Sequence, residues 1–411
     1  MVDVKPVTPA FGYRWVILGV CWLAYITAVM LRLSMGPLAP FIKEDLNLTS
    51  AQVGLFMSAA TFGYGLIMVP AGWLTDRIGV RWLLLMGGVF GGIFVASMFT
   101  VTTFTQGLIL LAFAGMGMGC LMPSTTKAIV VWFPLKERAT AMGLKQMAID
   151  VAGIITATTL PAVALALSWH YGFLGIGLIA VAMGIVSFLL YREPPQSAGL
   201  NTSKAVIPSG TGPSVREIFR SRDIWLVVVG GTCMVLVEFS VLGYFVLYLK
   251  EVMLFTVVTA GFLLAILDAG GAFGRPIAGL ISDRLFHGSR KGVLILMWCM
   301  ALVMCVIFAF LPQGSPLWLI VPLGLVFGFG GISFGALHLT LAGEFAGKEL
   351  VGTVTGITAA FALIGGMAGP PVFGYIVDTT GSYKSAWQFL AIMALLAVVL
   401  LFFVREGKKK I

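Results

Sequence analysis

Charge is scarce in this chain. Of its 411 residues only 10% are Asp, Glu, Lys or Arg, against about 25% in soluble domains. Hydrophobic residues make up 59%, and the mean hydropathy is +1.02. So few charges cannot build a polar shell over so much Leu, Val, Ile, Phe and Met, so most of the surface must face lipid. A soluble enzyme, a nucleic-acid binder and a disordered scaffold are excluded together. Histidine is almost missing, with three copies, and the five cysteines (Cys21, Cys120, Cys233, Cys299, Cys305) stand singly in apolar stretches. Without Cys-x-x-Cys spacing or neighbouring His they read as small packing residues, and neither a metal nor another cofactor is expected. A small-residue cleavage pattern is also absent after the polar stretch Met1 to Tyr13, so the first apolar segment is expected to stay and span.

What is present is a series of apolar runs, each long enough for a hydrocarbon core of about 30 Å. They lie near 15–38, 51–73, 82–101, 107–133, 139–165, 170–191, 224–249, 257–281, 291–311, 316–340, 351–376 and 385–404. The expected fold is therefore all-α and integral to the membrane, with twelve transmembrane helices. Residues 1–191 would form one six-helix half and 224–411 the other. The polar, Pro/Gly/Ser-rich and basic stretch 192–223 is a cytoplasmic linker.

The bases orient this array. Nineteen of the 26 Lys and Arg residues fall on the side of the termini, Lys5, Arg14, Lys204, Arg216 and Lys408 among them. Three (Lys43, Lys250, Lys384) fall on the other side and four within spans. Both termini are then cytoplasmic by the positive-inside rule, and the net charge of +9 reports topology rather than nucleic-acid binding.

The halves repeat. "PAGWLTDRIGVR" closes the second span and "IAGLISDRLFHGSRK" the eighth, with Gly72/Gly279, Asp76/Asp283 and Arg77/Arg284 each 207 positions apart. Duplicated six-span halves are the pattern of alternating-access carriers with a midplane site between the halves. The Gly-rich runs lack the setting of a phosphate loop and no Walker motif is present, so ATP-driven transport is not expected.

The run Gly72, Leu74, Asp76, Arg77, Gly79 and Arg81, with its second copy at Gly279, Asp283 and Arg284, resembles the loop 2–3 signature of the major facilitator superfamily. That resemblance implies a gating role for Gly72, Asp76, Arg77, Arg81, Asp283 and Arg284. Asp76 would cap a helix N-terminus or pair with an Arg when the halves close on the inside. A narrower resemblance, carried by Arg32, Pro40, Gly54, Tyr64, Gly72, Pro123, Trp132, Phe133, Glu137 and Arg138, is to the anion:cation symporter branch, which carries sugar acids and other organic anions. Leu31, Leu111 and Met118 stand where that branch has Asp, Arg and Glu, so its usual proton-coupling assignment does not carry over. Arg275 resembles an eighth-span Arg of the monocarboxylate and oxalate/formate carriers, which leaves the choice of anion branch open.

Four bases lie within spans: Arg32, Lys127, Lys145 and Arg275. Each would cost about 2.5–3.5 kcal/mol at a helix centre facing lipid, so each must face a cavity, a partner or the interface. Arg32 lies about 25 Å from the inner surface and Arg275 about 12 Å. Lys127 and Lys145 are shallower, and Lys127 is a site residue or a snorkelling anchor. The in-span acids Asp150, Glu238 and Asp268 either pair with a base or move a proton. Four bases against three acids favour an anion, with Arg the better carboxylate fork. His338 reads as a packing residue.

The expectation is a secondary carrier, not an enzyme, for a small organic anion: a mono- or dicarboxylate or a sugar acid. Arg32 and Arg275 would hold the substrate, Lys127 and Tyr64 would assist, and Asp268, Glu238 and Asp150 would be available for proton coupling. Its partners would be the anion, a proton or counter-anion, and membrane lipid, with no nucleic acid, and the chain would act as a monomer in the cell membrane. Anion exchange and export of hydrophobic drugs are the alternatives, the second requiring acids and aromatics in the cavity.

Overall fold

The computed structural model describes residues 12–193, 220–286 and 289–405, with all side chains there except those at 135, 136, 139, 346–349 and 352. Most of the expected linker, 194–219 with Lys204 and Arg216, lies outside the described residues, as do Lys5 and Lys408. Twelve helices are long and apolar enough to cross a membrane. The first six are α1 Tyr13–Asp45, α2 Ser50–Ile78, α3 Val80–Thr100, α4 Phe104–Trp132, α5 Thr140–Ala166 and α6 Trp169–Leu190. The last six are α7 Arg222–Glu251, α8 Val257–Arg284, α9 Arg290–Phe310, α10 Leu317–Phe345, α11 Thr353–Thr380 and α12 Tyr383–Phe402. Large apolar side chains such as Val69, Phe273 and Trp318 stand more than half exposed on the outside of the bundle, the surface a lipid belt covers.

The duplication reaches the local geometry. Thr49 caps α2 by accepting from the Gln52 amide, and Thr256 caps α8 by accepting from the Thr259 amide. The turns leading to these caps each hold one residue at positive φ, Asn47 at 48° and Leu254 at 60°. All three pairs keep the spacing of the sequence repeat. Asn tolerates that conformation, whereas Leu is strained in it.

Three seams join the first six helices to the last six: α1 with α7, α2 with α11, and α5 with α8. Glycine permits each. A Cβ on Gly36 of α1 would overlap the Leu242 carbonyl, and one on its copy Gly243 of α7 would overlap Met57. Gly54 of α2 lies against Pro370 and Pro371 of α11, and its copy Gly261 lies against Ala157 and Pro161 of α5. Such small-residue contacts let helix backbones approach where no hydrophobic force drives association.

The two ends of the bundle differ. At the end away from the termini, Lys43 pairs with Glu251 at 2.9 Å and Lys250 with Glu44 at 3.2 Å, both across the seam. There the Asp378 carboxylate of α11 also accepts from the Ser50 and Ala51 amides at the N-terminus of α2 (2.8 and 2.7 Å). At the termini end, Arg14 pairs with Glu137, Lys127 with Asp76, and Arg290 with Asp283 and Glu344, each within one set of six. Two cross-seam ion pairs and the Asp378 cap thus close the far end.

Candidate functional site

Arg32 sits in the middle of α1, 19 residues beyond Tyr13. Its guanidinium lies over the ring of Phe239 on α7, 5.0 Å from the centroid, and among the described residues no carboxylate comes within ion-pair distance. Phe239 is the copy of Arg32 in the sequence repeat. Two voids meet at Arg32. Both are small, about 20 Å³ each: one is walled by Met57, Thr61, Phe239 and Pro370, and the other by Tyr25, Thr61, Tyr64, Met118 and Leu363. Both take walls from each set of six helices. Tyr25 and Tyr64 interact with each other beside Arg32, so two hydroxyls and a guanidinium converge on one space.

Behind Tyr25 stands Lys145 of α5, only 1% exposed. Its ammonium donates to Thr126 Oγ1 at 2.9 Å and to the Met122 carbonyl at 3.5 Å, and lies 4.4 Å from the centre of the Tyr25 ring. All three contacts are neutral.

The in-span acids lie on α5, α7 and α8. Arg275 of α8 grips Asp150 of α5 with Nη1 on both carboxylate oxygens, a pair that bridges the two sets of helices. One turn further along α5, Gly153 makes room for the Asp268 carboxylate of α8. Asp268 and Glu238 have no base within ion-pair distance among the described residues, although both feel the charges of Arg275 and Arg32. Beside Arg275, α10 relaxes into a π turn at Gly328–Ile332, and the following Ser333 packs on Gly274. Such turns interrupt regular helix where a site needs re-aimed backbone.

The model of the Major Facilitator Superfamily matches residues 21–370 and 272–411. The chain belongs to that superfamily. Curated relatives include a probable sulfoacetate transporter of Cupriavidus necator, 26% identical, covering 90% of this chain and 89% of that one. A probable galactarate/D-glucarate transporter of Escherichia coli is also 26% identical, over 87% of this chain and 85% of its own. The hexuronate transporter of Bacillus subtilis is 25% identical over 92% of each. Among solved structures, a bacterial homolog of the human lysosomal transporter Spinster superposes with a TM-score of 0.82 at 17% identity, covering 96% of this chain and 98% of that one. The protein is thus a multi-pass membrane transporter and not an enzyme.

Within this transporter the residues expected from the sequence separate into three places. Arg32 and Tyr64 share the central space. Arg275, Asp150, Asp268 and Glu238 form a charge cluster across it, but Arg275 is not free, because Asp150 already occupies its guanidinium. Lys127 is the correction: its ammonium binds Asp76 at 2.9 Å and the Thr75 carbonyl at 2.9 Å, which draws it to the termini end and away from Arg32. Asp76, expected to cap a helix or pair with an Arg, therefore pairs with a lysine of its own set.

The rest of the gating motif is accounted for by local contacts. Arg77 stacks on Trp73 at 4.1 Å. Arg81 stacks on Phe188 at 4.1 Å and donates from Nε to its carbonyl at 2.6 Å. Gly79 holds φ at 90°, which only glycine adopts freely, and Gly72 has open space around it. In the second copy Asp283 pairs with Arg290 at 2.5 Å, while Arg284 ends α8. His338 is a packing residue, its Nε2 3.0 Å from the Val227 carbonyl. Sequence reasoning ranked Lys145 no higher than Lys127 and missed the Phe239 platform; the spacing of the repeat, applied to Arg32, would have pointed to Phe239.

Proposed function

We propose that this transporter carries a small organic anion, a carboxylate or sugar acid, by alternating access of two halves, 1–191 and 224–411, in symport with a proton. The observation that carries the reading is Arg32: a guanidinium at mid-depth, bordering voids walled by both sets of helices, with an aromatic platform and, among the described residues, no carboxylate within ion-pair distance. An unpaired cation at that depth is costly, and an anionic substrate offsets the cost. The names of relatives matched over most of the chain, sulfoacetate, galactarate/D-glucarate and hexuronate transporters, support the same class. The charged residue lining both voids is Arg32, which does not suit a cationic drug.

Asp150 supplies the coupling. While ionised it occupies Arg275; once protonated it releases the guanidinium, which then takes the substrate carboxylate from the side opposite Arg32. An anion held by both arginines bridges the two halves, and loss of the proton returns Arg275 to Asp150 and frees the substrate. Asp268 and Glu238 stand near enough to pass or share that proton. The chain works as a monomer in the cell membrane with lipid around it.

Arg14, Arg77, Arg81 and Lys291 lie at the termini end and Lys43, Lys250 and Lys384 at the other, which supports cytoplasmic termini. The sealed end is then the outer one. Purified protein in proteoliposomes should accumulate a carboxylate saturably, faster when the side it leaves is the more acidic. Uptake driven only by a trans anion would replace symport with exchange, and transport of a cationic dye without carboxylate uptake would overturn the reading.

A further inference from the structure

Lys145 is a buried cation that the scheme above does not use. Its partners, the Thr126 hydroxyl, the Met122 carbonyl and the Tyr25 ring, carry no formal charge, and among the described residues no carboxylate lies within ion-pair distance of it. A lysine serving only to tie α5 to α4 through a hydroxyl and a carbonyl would do so at the expense of an uncompensated charge, where a neutral donor would serve as well. Arg32, half-buried on α1, likewise has no carboxylate within ion-pair distance among the described residues, although Glu238 and Asp268 feel its charge. Both therefore point to negative charge brought in from outside.

Their placement gives the charge pattern of the ligand. Tyr25 and Arg32 are seven residues apart on α1, which puts them on one face two turns, or about 10 Å, apart. Both line the void that also holds Thr61 and Tyr64. The Lys145 ammonium lies against the ring of Tyr25, so a single side chain that lines this void carries Arg32 two turns away on its own helix and Lys145 on its ring. While Asp150 is ionised it neutralises Arg275, so in that state Lys145 and Arg32 are the bases without a paired carboxylate among the described residues.

Building on the organic-anion reading, we infer that Lys145 is the residue that sets charge specificity: with Arg32 it makes the first-half wall a receptor for two anionic groups, so that a compact dianion is preferred over the matching monoanion. Arg32 takes one anionic group by direct contact. Lys145 acts on the other from behind Tyr25, as a positioning charge, and the Tyr25 and Tyr64 hydroxyls are the donors nearest the space between.

The test is equilibrium binding to the purified full chain of matched pairs that differ by one charge: succinate against succinamate, glucarate against gluconate, and sulfoacetate against acetate. The dianion of at least one pair should bind about tenfold tighter or more. Lys145→Met should bring that ratio to near unity by weakening the dianion alone, and Lys145→Arg should keep it. Equal binding within every pair by the wild-type protein overturns the inference without any variant, and so does a ratio that Lys145→Met leaves unchanged. If monoanions bind in an Arg32-dependent way with no dianion preference, only this inference falls. If none of the six ligands binds, the organic-anion reading falls with it.

Discussion

At the far end of the bundle Lys43 and Glu44 meet Glu251 and Lys250, so that each residue bonds the copy of its own neighbour. At mid-depth Arg32 meets Phe239, its own copy, and there the likeness stops, for one is a cation and the other an apolar ring. The first arrangement is the self-complementary interface that a two-fold relation produces, residue i to j and j to i. The second keeps the relation between backbones and abandons it between side chains. The ends of this transporter thus preserve the duplication, as do the caps at Thr49 and Thr256 and the glycines at 36 and 243. In the middle the copies carry different charges: Arg32 faces Phe239, and Asp150 and Arg275 pair across the seam.

Restoring a compensating charge in the middle should have the largest effect. Phe239→Glu would place a carboxylate beside Arg32, satisfy the guanidinium internally and lower anion binding by about a hundredfold, measured by calorimetry, while the protein stays folded. Full affinity in this variant would mean that Arg32 does not anchor the ligand. Next in size is Asp150→Asn, which removes the competitor for Arg275. It should tighten binding by about tenfold and make uptake insensitive to an imposed pH gradient. Wild-type pH dependence in this variant would exclude Asp150 and assign the coupling proton to Asp268 or Glu238, whereas retained pH dependence in Asp268→Asn combined with Glu238→Gln, together with its loss in Asp150→Asn, is the pattern expected of Asp150.

The symmetric end should respond more weakly. Exposed ion pairs contribute about 0.2–1 kcal/mol each. Lys43→Glu should therefore raise the population open at the far end only about fivefold or less, read by spin-label distances across that end. Lys43→Glu combined with Glu251→Lys should reverse the change, and no recovery would show that the bridge does not hold the seal. The smallest effect lies in the turns. Leu254 occupies positive φ where its copy is Asn47, so Leu254→Asn should stabilise the protein by about 0.5–1 kcal/mol and raise the midpoint of thermal unfolding without changing transport. Destabilisation would mean that the exposed Leu254 side chain packs on lipid in a way that outweighs its backbone strain.

Much of this was legible in the sequence because it depends on local or additive properties. Span number and boundaries follow from the length of apolar runs, and the motif copies follow from spacing. The depth of a charge follows from counting residues, and Lys127, five positions before Trp132, is shallow enough for Asp76 to hold it at the termini end. Pairing was not legible. Asp150 and Arg275 lie on different helices 125 positions apart, and helical periodicity gives the face of a residue without naming the helix that faces it. For the same reason Asp76 was matched with an arginine rather than with Lys127, and Lys145 was not recognised as the cation behind Tyr25. The repeat is the one sequence signal that crosses from one half to the other, and it predicts contacts near the pseudo-two-fold axis, where Arg32 and Phe239 lie.

The account rests on Arg32 as an uncompensated charge that awaits an anion, and the most direct test is calorimetric titration of wild-type protein and Arg32→Ala with the tightest-binding carboxylate of the panel. Saturable binding by the wild type and a loss of about a hundredfold or more in the variant, with unchanged thermal stability before ligand is added, is the predicted result. Binding by Arg32→Ala within twofold of wild type would contradict it.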